Sequence, residues 1–181
     1  MSLRMFAGPN GSGKSTIKSV VPDKLLGVYL NPDEMQKDIE DRGFLNVRDY
    51  GVETTRAEIL AFFADSTLLR KARLEEAQPL GYRAYLYYIA TDDPAINVAR
   101  VKTRVNLGGH DVPEDKITQR YQRSLDLLMS AIKHTKRAYL FDNSREGGEK
   151  LWVAEITDGC DLELKCDPMP DWFRQGVWEK I

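Results

Sequence analysis

The sequence has few of the residues that hold structural metal ions or form disulfide bridges. Its 181 residues include two cysteines, Cys160 and Cys166, and two histidines, His110 and His134. They are too few and too scattered for a structural zinc site. The two cysteines would share one face of a strand, and a disulfide between them would need a sharp bend, so we expect reduced thiols.

Long apolar runs are also missing. The longest, residues 84–90, has the length of a strand and is far below the roughly 18 residues needed to cross a bilayer. Residues 1–4 lead directly into the first motif, without the apolar region of a secretory signal. We therefore expect a cytoplasmic protein without a membrane partner.

Neither sign of charge dominates, with 28 acidic and 26 basic side chains, and 42% of the residues are hydrophobic. This balance is typical of a globular chain, and the length predicts one domain over residues 1–181. Residues 100–137, however, hold nine basic and four acidic side chains. This basic stretch either binds anions or forms two solvated helix faces.

A glycine-rich loop is the strongest motif. Residues 8–16 read GPNGSGKST after an apolar run and satisfy the P-loop (Walker A) pattern G-x-x-x-x-G-K-[ST] between a strand and a helix. The glycines let backbone N–H groups turn inward around phosphate oxygens, and the helix start favours anions. Lys14 would reach the β and γ phosphates, and the Ser15 hydroxyl would bind Mg²⁺. The predicted nucleotide-binding residues are Gly8, Pro9, Asn10, Gly11, Ser12, Gly13, Lys14, Ser15 and Thr16.

Asp33 is the main acidic candidate. It follows a short apolar run, residues 28–30, that predicts a parallel strand, and ligands bind at the carboxyl ends of such strands. Its carboxylate would accept a proton from an attacking hydroxyl or hold Mg²⁺ through water. Alternatively, Asp33 is the N-cap of a helix that begins at Glu34 or Met35.

Two predicted helices, from Pro94 to about residue 107 and from about residue 114 to 133, carry the basic stretch. Asp93 would cap the first, whose apolar side would be Ile96, Ala99, Val101 and Val105. The second has six apolar residues at helical spacing: Ile117, Tyr121, Leu125, Leu128, Met129 and Ile132. The glycine turn at residues 108–109 joins them, and this indicates a helical lid over about residues 94–133. Its arginines, whose planar forks match phosphoryl oxygens, are Arg104, Arg120 and Arg123.

Alternation of strands and helices predicts an α/β fold of the P-loop NTPase type, with a mainly parallel sheet flanked by helices. The clearest buried strands are residues 83–90 and 138–141. A C-terminal extension, about residues 150–181, contains a hairpin signal at Asp158–Gly159. A terminal helix with a core stripe follows, made of Trp172, Phe173, Val177 and Trp178.

Five stretches together resemble the zeta-toxin-like P-loop kinases, and more narrowly the stand-alone branch described as predicted ATPases. They are AGPNGSGKST (7–16), NPDE (31–34), RVxxGGHDVP (104–113), IxxRYxRS (117–124) and YLFDNS (139–144). The resemblance covers about residues 3–144. It implies transfer of the γ-phosphate of MgATP to a hydroxyl of a nucleotide-sugar-like small molecule, and an antitoxin-like protein partner.

The resemblance also implies roles for single residues. Asp33 would be the base on the acceptor hydroxyl, and Lys14 and Ser15 would serve the triphosphate and Mg²⁺. Arg104 and Arg120 would stabilise the transferred phosphoryl group, and Arg123 would contact the nucleotide.

The acceptor side departs from the family pattern. Relatives carry a Glu-Thr-x-x-Ser motif, for which the candidates here are Glu53 and Thr54, with His110 as a further acceptor contact. Alternatively, Thr55 and Glu58 form a capping box that opens a helix. The stretch 69–81 is also short, as though a helix and a strand near Ala72 were absent, which would leave the acceptor wall incomplete.

Three functions follow from these residues. The first is a small-molecule kinase, and the second is a non-catalytic or ATPase-type nucleotide switch, which needs only the loop and the lid. The third is a polynucleotide end kinase, but no aromatic stacking platform accompanies the basic stretch, so we expect no nucleic-acid partner.

Overall fold

The computed structural model of the chain describes residues 2–26, 31–44, 46–51, 53–55, 57–58, 81–109, 111–145, 147 and 149–181. These residues divide into two compact units, Met1–Val20 with Leu74–Ile181, and Val21–Arg73. The first unit contains the sheet. The prediction of a single domain stays a prediction.

The described strands form one five-stranded sheet, in the order β1 (Ser2–Ala7), β2 (Arg83–Ala90), β3 (Arg137–Asp142), β4 (Leu151–Thr157) and β5 (Asp161–Leu164). β1 pairs with β2 and β2 with β3 in parallel, whereas β3–β4 and β4–β5 are antiparallel. The expected mainly parallel sheet is therefore a mixed one. The connection from β3 to β4 is too short for a crossover of a dozen or more residues, so the chain turns back beside β3.

Helices flank this sheet, as the α/β prediction required. α1 is Lys14–Ile17 and continues as a 3₁₀ turn at Lys18–Val20. α3 (Pro94–Asn106) and α4 (Glu114–Lys133) are the predicted basic pair, and α5 (Asp171–Gly176) is followed by a 3₁₀ turn at Trp178–Lys180. The second unit contains α2 (Pro32–Arg42), with 3₁₀ turns at Asp23–Leu25 and Val47–Tyr50.

Several local predictions are confirmed. The Asp93 carboxylate accepts a hydrogen bond of 2.7 Å from the Ala95 N–H and caps α3, with Pro94 as the first helical residue. The hairpin between β4 and β5 turns at Asp158 and Gly159, which both have positive φ. All six residues predicted for the apolar side of α4 are buried.

The buried side of α3 differs from the prediction. Asn97, Val98 and Val101 are buried, whereas Ala99 is exposed. Helical periodicity predicts burial only for apolar side chains, so it did not predict the burial of Asn97. The terminal stripe differs as well: Trp172, Phe173 and Val177 are buried, but α5 ends at Gly176 and Trp178 is 47% exposed.

The main core lies between one face of the sheet and the helices α4 and α5. Trp172 anchors α5 in this core, since its indole N–H donates a hydrogen bond of 2.9 Å to the buried Asp142 carboxylate at the end of β3. The backbone N–H and hydroxyl of Ser144 donate to the same carboxylate. The C-terminal extension is thus fastened to the carboxyl end of the sheet.

Among the described residues, no helix combines the length and the apolar character that crossing a membrane requires.

Replacing Trp172 by phenylalanine should lower the free energy of unfolding by about 1–3 kcal/mol, because Asp142 loses a buried donor. Trp178→Phe is the matched control and should change it by less than about 0.5 kcal/mol, because Trp178 is half exposed. Urea unfolding followed by circular dichroism measures both. Equal losses in the two variants would show that the Trp172–Asp142 bond contributes little.

Candidate functional site

The glycine-rich loop, residues 8–13, leaves β1 at the carboxyl edge of the sheet, where β2 and β3 also end. Its three glycines have φ angles of 142°, 76° and 99°, which side-chain-bearing residues rarely adopt. The sequence therefore supplies glycine where the loop takes left-handed or related backbone angles.

Close packing imposes a second requirement for glycine. A Cβ atom on Gly8 would lie 2.0 Å from the Ile89 carbonyl oxygen, and one on Gly11 would lie 2.6 Å from the Asn97 carbonyl oxygen. A Cβ on Gly13 would lie 2.6 Å from Nδ2 of Asn143. The loop backbone is thus pressed against β2, α3 and the end of β3.

Two buried asparagines hold the loop by donating hydrogen bonds to its carbonyl groups. Nδ2 of Asn97 donates to the Asn10 carbonyl at 2.6 Å, and Nδ2 of Asn143 donates to the Ser12 carbonyl at 2.9 Å. Neither asparagine is among the residues predicted for the site. A polar residue on the apolar side of α3, and an asparagine directly after a buried strand, were the available signals.

Asn97 in turn belongs to a buried chain of hydrogen bonds. The Thr91 hydroxyl donates to Oδ1 of Asn97, and the Tyr121 hydroxyl donates to the Thr91 carbonyl at 2.6 Å. Burial, and then the nearby aspartates, raise the pKa of Tyr121, so its hydroxyl keeps its proton and remains a donor. The chain links the loop to α4.

Lys14 and Ser12 place polar groups within the loop. Nζ of Lys14 donates to the carbonyls of Gly8 and Pro9, both at 2.9 Å, so its charge lies inside the curve of the loop. The Ser12 hydroxyl is buried and has no hydrogen-bond partner among the described residues. Ser15 and Thr16 are exposed, and the Thr16 hydroxyl donates to the Gly13 carbonyl at 2.9 Å.

The helix that follows the loop is shorter than the motif predicts. α1 has four residues, and Gly13 precedes it without a side-chain cap. A helix of one turn contributes little dipole, so the expected preference for anions at its start falls mainly to Lys14 and the loop N–H groups.

A cleft of about 440 Å³ opens beside the loop. Two cationic residues, Arg100 and Lys150, line this cleft. The remaining lining residues are Gly11, Gly13, Thr16, Asn143 and Gly147. Arg100 donates to the Arg145 carbonyl at 3.3 Å, while its second terminal nitrogen is buried without a partner among the described residues. The cleft therefore has positive charge close to the glycines.

The predicted lid arginines are all exposed. Arg120 and Arg123 line a groove along α4 with Lys116, and Arg104 lies in the last turn of α3, where its side chain lies close to Gly109. α3 and α4 pack against each other through Val98, Val101 and Ile117, and the second half of α4 belongs to the main core. Val105 and Val112, on either side of the glycine turn, pack against the same cluster, so the contact between the two helices extends to the end where they join.

On the acceptor side, the capping box is formed. The carboxylate of Glu58 accepts from the N–H and hydroxyl of Thr55, at 2.7 and 3.0 Å, and the Glu58 N–H donates to the Thr55 hydroxyl. The Thr54 hydroxyl also donates to the Glu58 carboxylate, at 3.1 Å. The hydrogen bonds that the carboxylate accepts lower the pKa of Glu58. The bond from the Thr55 N–H has the largest effect, followed by those from the Thr55 and Thr54 hydroxyls. Thr54 is thus engaged locally, and Glu53 is exposed beside it.

Asp33 is the second residue of α2, which begins at Pro32. The interpretation of Asp33 as an N-cap is therefore wrong, because the helix has already begun. Asn31 precedes the helix, and its side-chain amide donates to the Glu34 carboxylate at 2.7 Å. The predicted strand at residues 28–30, His110 and the short stretch near Ala72 lie outside the described residues.

Comparison with known proteins gives one relative in sequence. An uncharacterized protein of Haemophilus influenzae is 31% identical in an alignment 129 residues long, which covers 64% of this chain and 89% of that protein. No family model matches the chain.

The fold resembles crystal structures of the AvrRxo1-ORF1:AvrRxo1-ORF2 complex. A structure with sulphate ions and one with ATP each have a TM-score of 0.58 and 17% identity, and the native complex has 0.55 and 15%. The match covers 91% of this chain but 60% of the solved chain, so this chain spans under two thirds of that length. The likeness shows a shared fold.

Gly11→Ala should destabilise the first unit more than Gly108→Ala. Both residues have positive φ, 76° and 86°, and each alanine would carry a backbone cost of about 1–2 kcal/mol. Only at Gly11 does the new Cβ also meet the Asn97 backbone, since nothing lies within 4 Å at Gly108. Chemical denaturation measures the difference, and equal losses would contradict the close packing of the loop.

Proposed function

The chain belongs to the same family as the uncharacterized Haemophilus influenzae protein, and we propose that it is a P-loop phosphotransferase that uses MgATP and resembles the zeta-toxin-like kinases. The acceptor is a hydroxyl of a small molecule. The glycine-rich loop carries this proposal, because three glycines are packed against neighbours where no side chain fits and a lysine ammonium lies within its curve.

The loop has the chemistry that phosphate oxygens require. Its glycines permit N–H groups to converge on an anion, and Lys14 adds a positive charge. The buried Ser12 hydroxyl and the unpaired terminal nitrogen of Arg100 are further donors without a partner among the described residues. The donor set of the loop therefore fits a triphosphate. One of the structures with the same fold was solved with ATP.

Mg²⁺ would be held by the Ser15 hydroxyl and, through water, by Asp33, with phosphate oxygens completing the coordination. When bound, it neutralises charge that develops on the phosphate oxygens.

In the proposed transfer, Asp33 accepts the proton of the acceptor hydroxyl while the hydroxyl oxygen forms a bond to the γ phosphorus. The bond from that phosphorus to the bridging oxygen breaks, and ADP leaves. Arg104 and Arg120 donate to the transferred phosphoryl oxygens, and Arg123 contacts the nucleotide. Arginine suits this role, since its charge is permanent and its fork matches these oxygens.

We propose a nucleotide-sugar-like acceptor, which rests on the resemblance alone. Glu53, Thr54 and His110 are its proposed contacts, but Thr54 would first have to give up its bond to Glu58.

The formed capping box at Thr55 favours a second function, a non-catalytic or ATPase-type nucleotide-binding switch without transfer to an acceptor hydroxyl. A segment whose hydroxyls are satisfied locally has less to offer an acceptor. Such a switch would act through a protein partner, and the solved complexes of the shared fold each contain two different proteins. We also expect the protein to act in the cytoplasm.

One experiment separates these functions. Incubation with γ-labelled ATP and a panel of nucleotide sugars, nucleosides and oligonucleotides should label a small molecule carrying a free hydroxyl. Binding of ATP with no labelled acceptor would favour the switch, a non-catalytic one if no phosphate is released and an ATPase-type one if phosphate is released. Labelled oligonucleotides would favour an end kinase.

Lys14→Ala should abolish measurable MgATP binding, because its ammonium, held at the loop by the Gly8 and Pro9 carbonyls, is the charge that would contact the β and γ phosphates. Lys24→Ala is the matched control, since Lys24 is exposed on a 3₁₀ turn, and it should bind as the wild type does. Isothermal calorimetry with and without Mg²⁺ measures both. Wild-type affinity in Lys14→Ala would refute the loop as the nucleotide site.

Arg120→Ala should lower the rate of phosphoryl transfer by roughly 10³-fold or more, because it removes a charge that acts on the transition state. The free energy of unfolding should change by less than about 0.5 kcal/mol, since the side chain is exposed. Lys133→Ala, an exposed cation on the same helix, should leave the rate unchanged. Unchanged transfer in Arg120→Ala would remove Arg120 from the mechanism.

A further inference from the structure

We propose that the buried side chains of Asn97 and Asn143 are positioning residues that set the direction of the loop N–H groups for nucleotide binding. The inference rests on the proposed function of the loop. Neither asparagine needs to touch the nucleotide, because each acts through a loop peptide group.

The geometry follows from the planarity of the peptide bond. In a trans peptide the carbonyl of one residue and the N–H of the next point in opposite directions. The Asn10 carbonyl is fixed on Asn97, so the Gly11 N–H points away from α3. The Ser12 carbonyl is fixed on Asn143, so the Gly13 N–H points away from the end of β3.

Glycine makes this fixation necessary. Gly11 and Gly13 have the widest choice of backbone angles, so the loop sequence alone does not decide which way its peptide groups face. Rotation of either peptide group would turn a carbonyl oxygen toward a bound phosphate, which would repel it. The two amide donors therefore select one orientation among several that the glycines permit.

The two asparagines have the burial that this role requires. Asn97 is 0% exposed and Asn143 is 6% exposed, so water competes little for their amides. Thr91 fixes the orientation of Asn97, because its hydroxyl donates to Oδ1 and leaves Nδ2 directed at the loop. Tyr121 holds the Thr91 carbonyl and is the neighbour of Arg120, so the same chain connects the loop with the helix that carries the proposed phosphoryl contact.

The test compares Asn97→Leu and Asn143→Leu, which keep a similar shape but lose the donor, with Asn106→Leu on the exposed end of α3. The first measurement is the ¹H–¹⁵N spectrum of each ligand-free protein. Asn97→Leu should shift the Gly11 amide most, and Asn143→Leu should shift the Gly13 amide most. Asn106→Leu should move neither.

The second measurement is calorimetry with MgATP, beside urea unfolding of the same proteins. Each of the two variants should bind about tenfold more weakly or worse, and Asn106→Leu should match the wild type. A merely structural role would lower the free energy of unfolding without changing the affinity of the folded protein. Should Asn97→Leu fail to fold, Thr91→Val removes the hydroxyl that orients Asn97 and should weaken binding to a smaller degree.

The outcomes separate this inference from the proposed function. If the wild type does not bind MgATP, the proposed function is wrong and the positioning role is lost with it. If the wild type binds while both leucine variants keep its affinity, or leave the Gly11 and Gly13 amides in place, the positioning role alone is wrong.

Discussion

The closeness of the loop backbone to its three neighbours is the constraint on which the rest of the first unit depends. Contacts of this kind exclude any Cβ, so the loop must be rich in glycine, and glycine by itself fixes no conformation. The missing order is supplied by hydrogen bonds from the buried side of α3 and from the residue that follows β3, and by close packing against β2. The glycines permit the loop many backbone conformations, and the elements around the loop select one of them.

Buried polar groups outside the loop belong to the same arrangement. Asp142, Ser144 and Trp172 join α5 to the end of β3, directly before Asn143. Thr91 and Tyr121 join α4 to the end of β2. β2 and β3 are thus each followed by a hydrogen-bonded polar cluster, which lets polar side chains lie inside an otherwise apolar core. Oδ1 of Asn143 has no hydrogen-bond partner among the described residues.

Much of the fold could be predicted because its signals are local. Spacing over a few residues decides four of its features: the cap at Asp93, the turn at Asp158, the capping box at Thr55 and the apolar side of α4. The direction of β4 and the burial of Asn97 could not be read in this way, because both depend on partners distant in the sequence. For the site, the pattern identified the loop but did not assign the side chains that hold it, because Asn97 and Asn143 meet the loop only in the folded chain.

The separation in sequence of these contacts has a consequence for synthesis of the chain. The loop is made before its partners, since Asn97 lies 87 residues beyond Asn10 and Asn143 lies 131 residues beyond Ser12. Trp172, which holds Asp142, follows later still. Because chains emerge from the ribosome N-terminus first, the loop leaves the ribosome long before the residues that order it. The loop therefore cannot form these native contacts until most of the chain that follows it has been made.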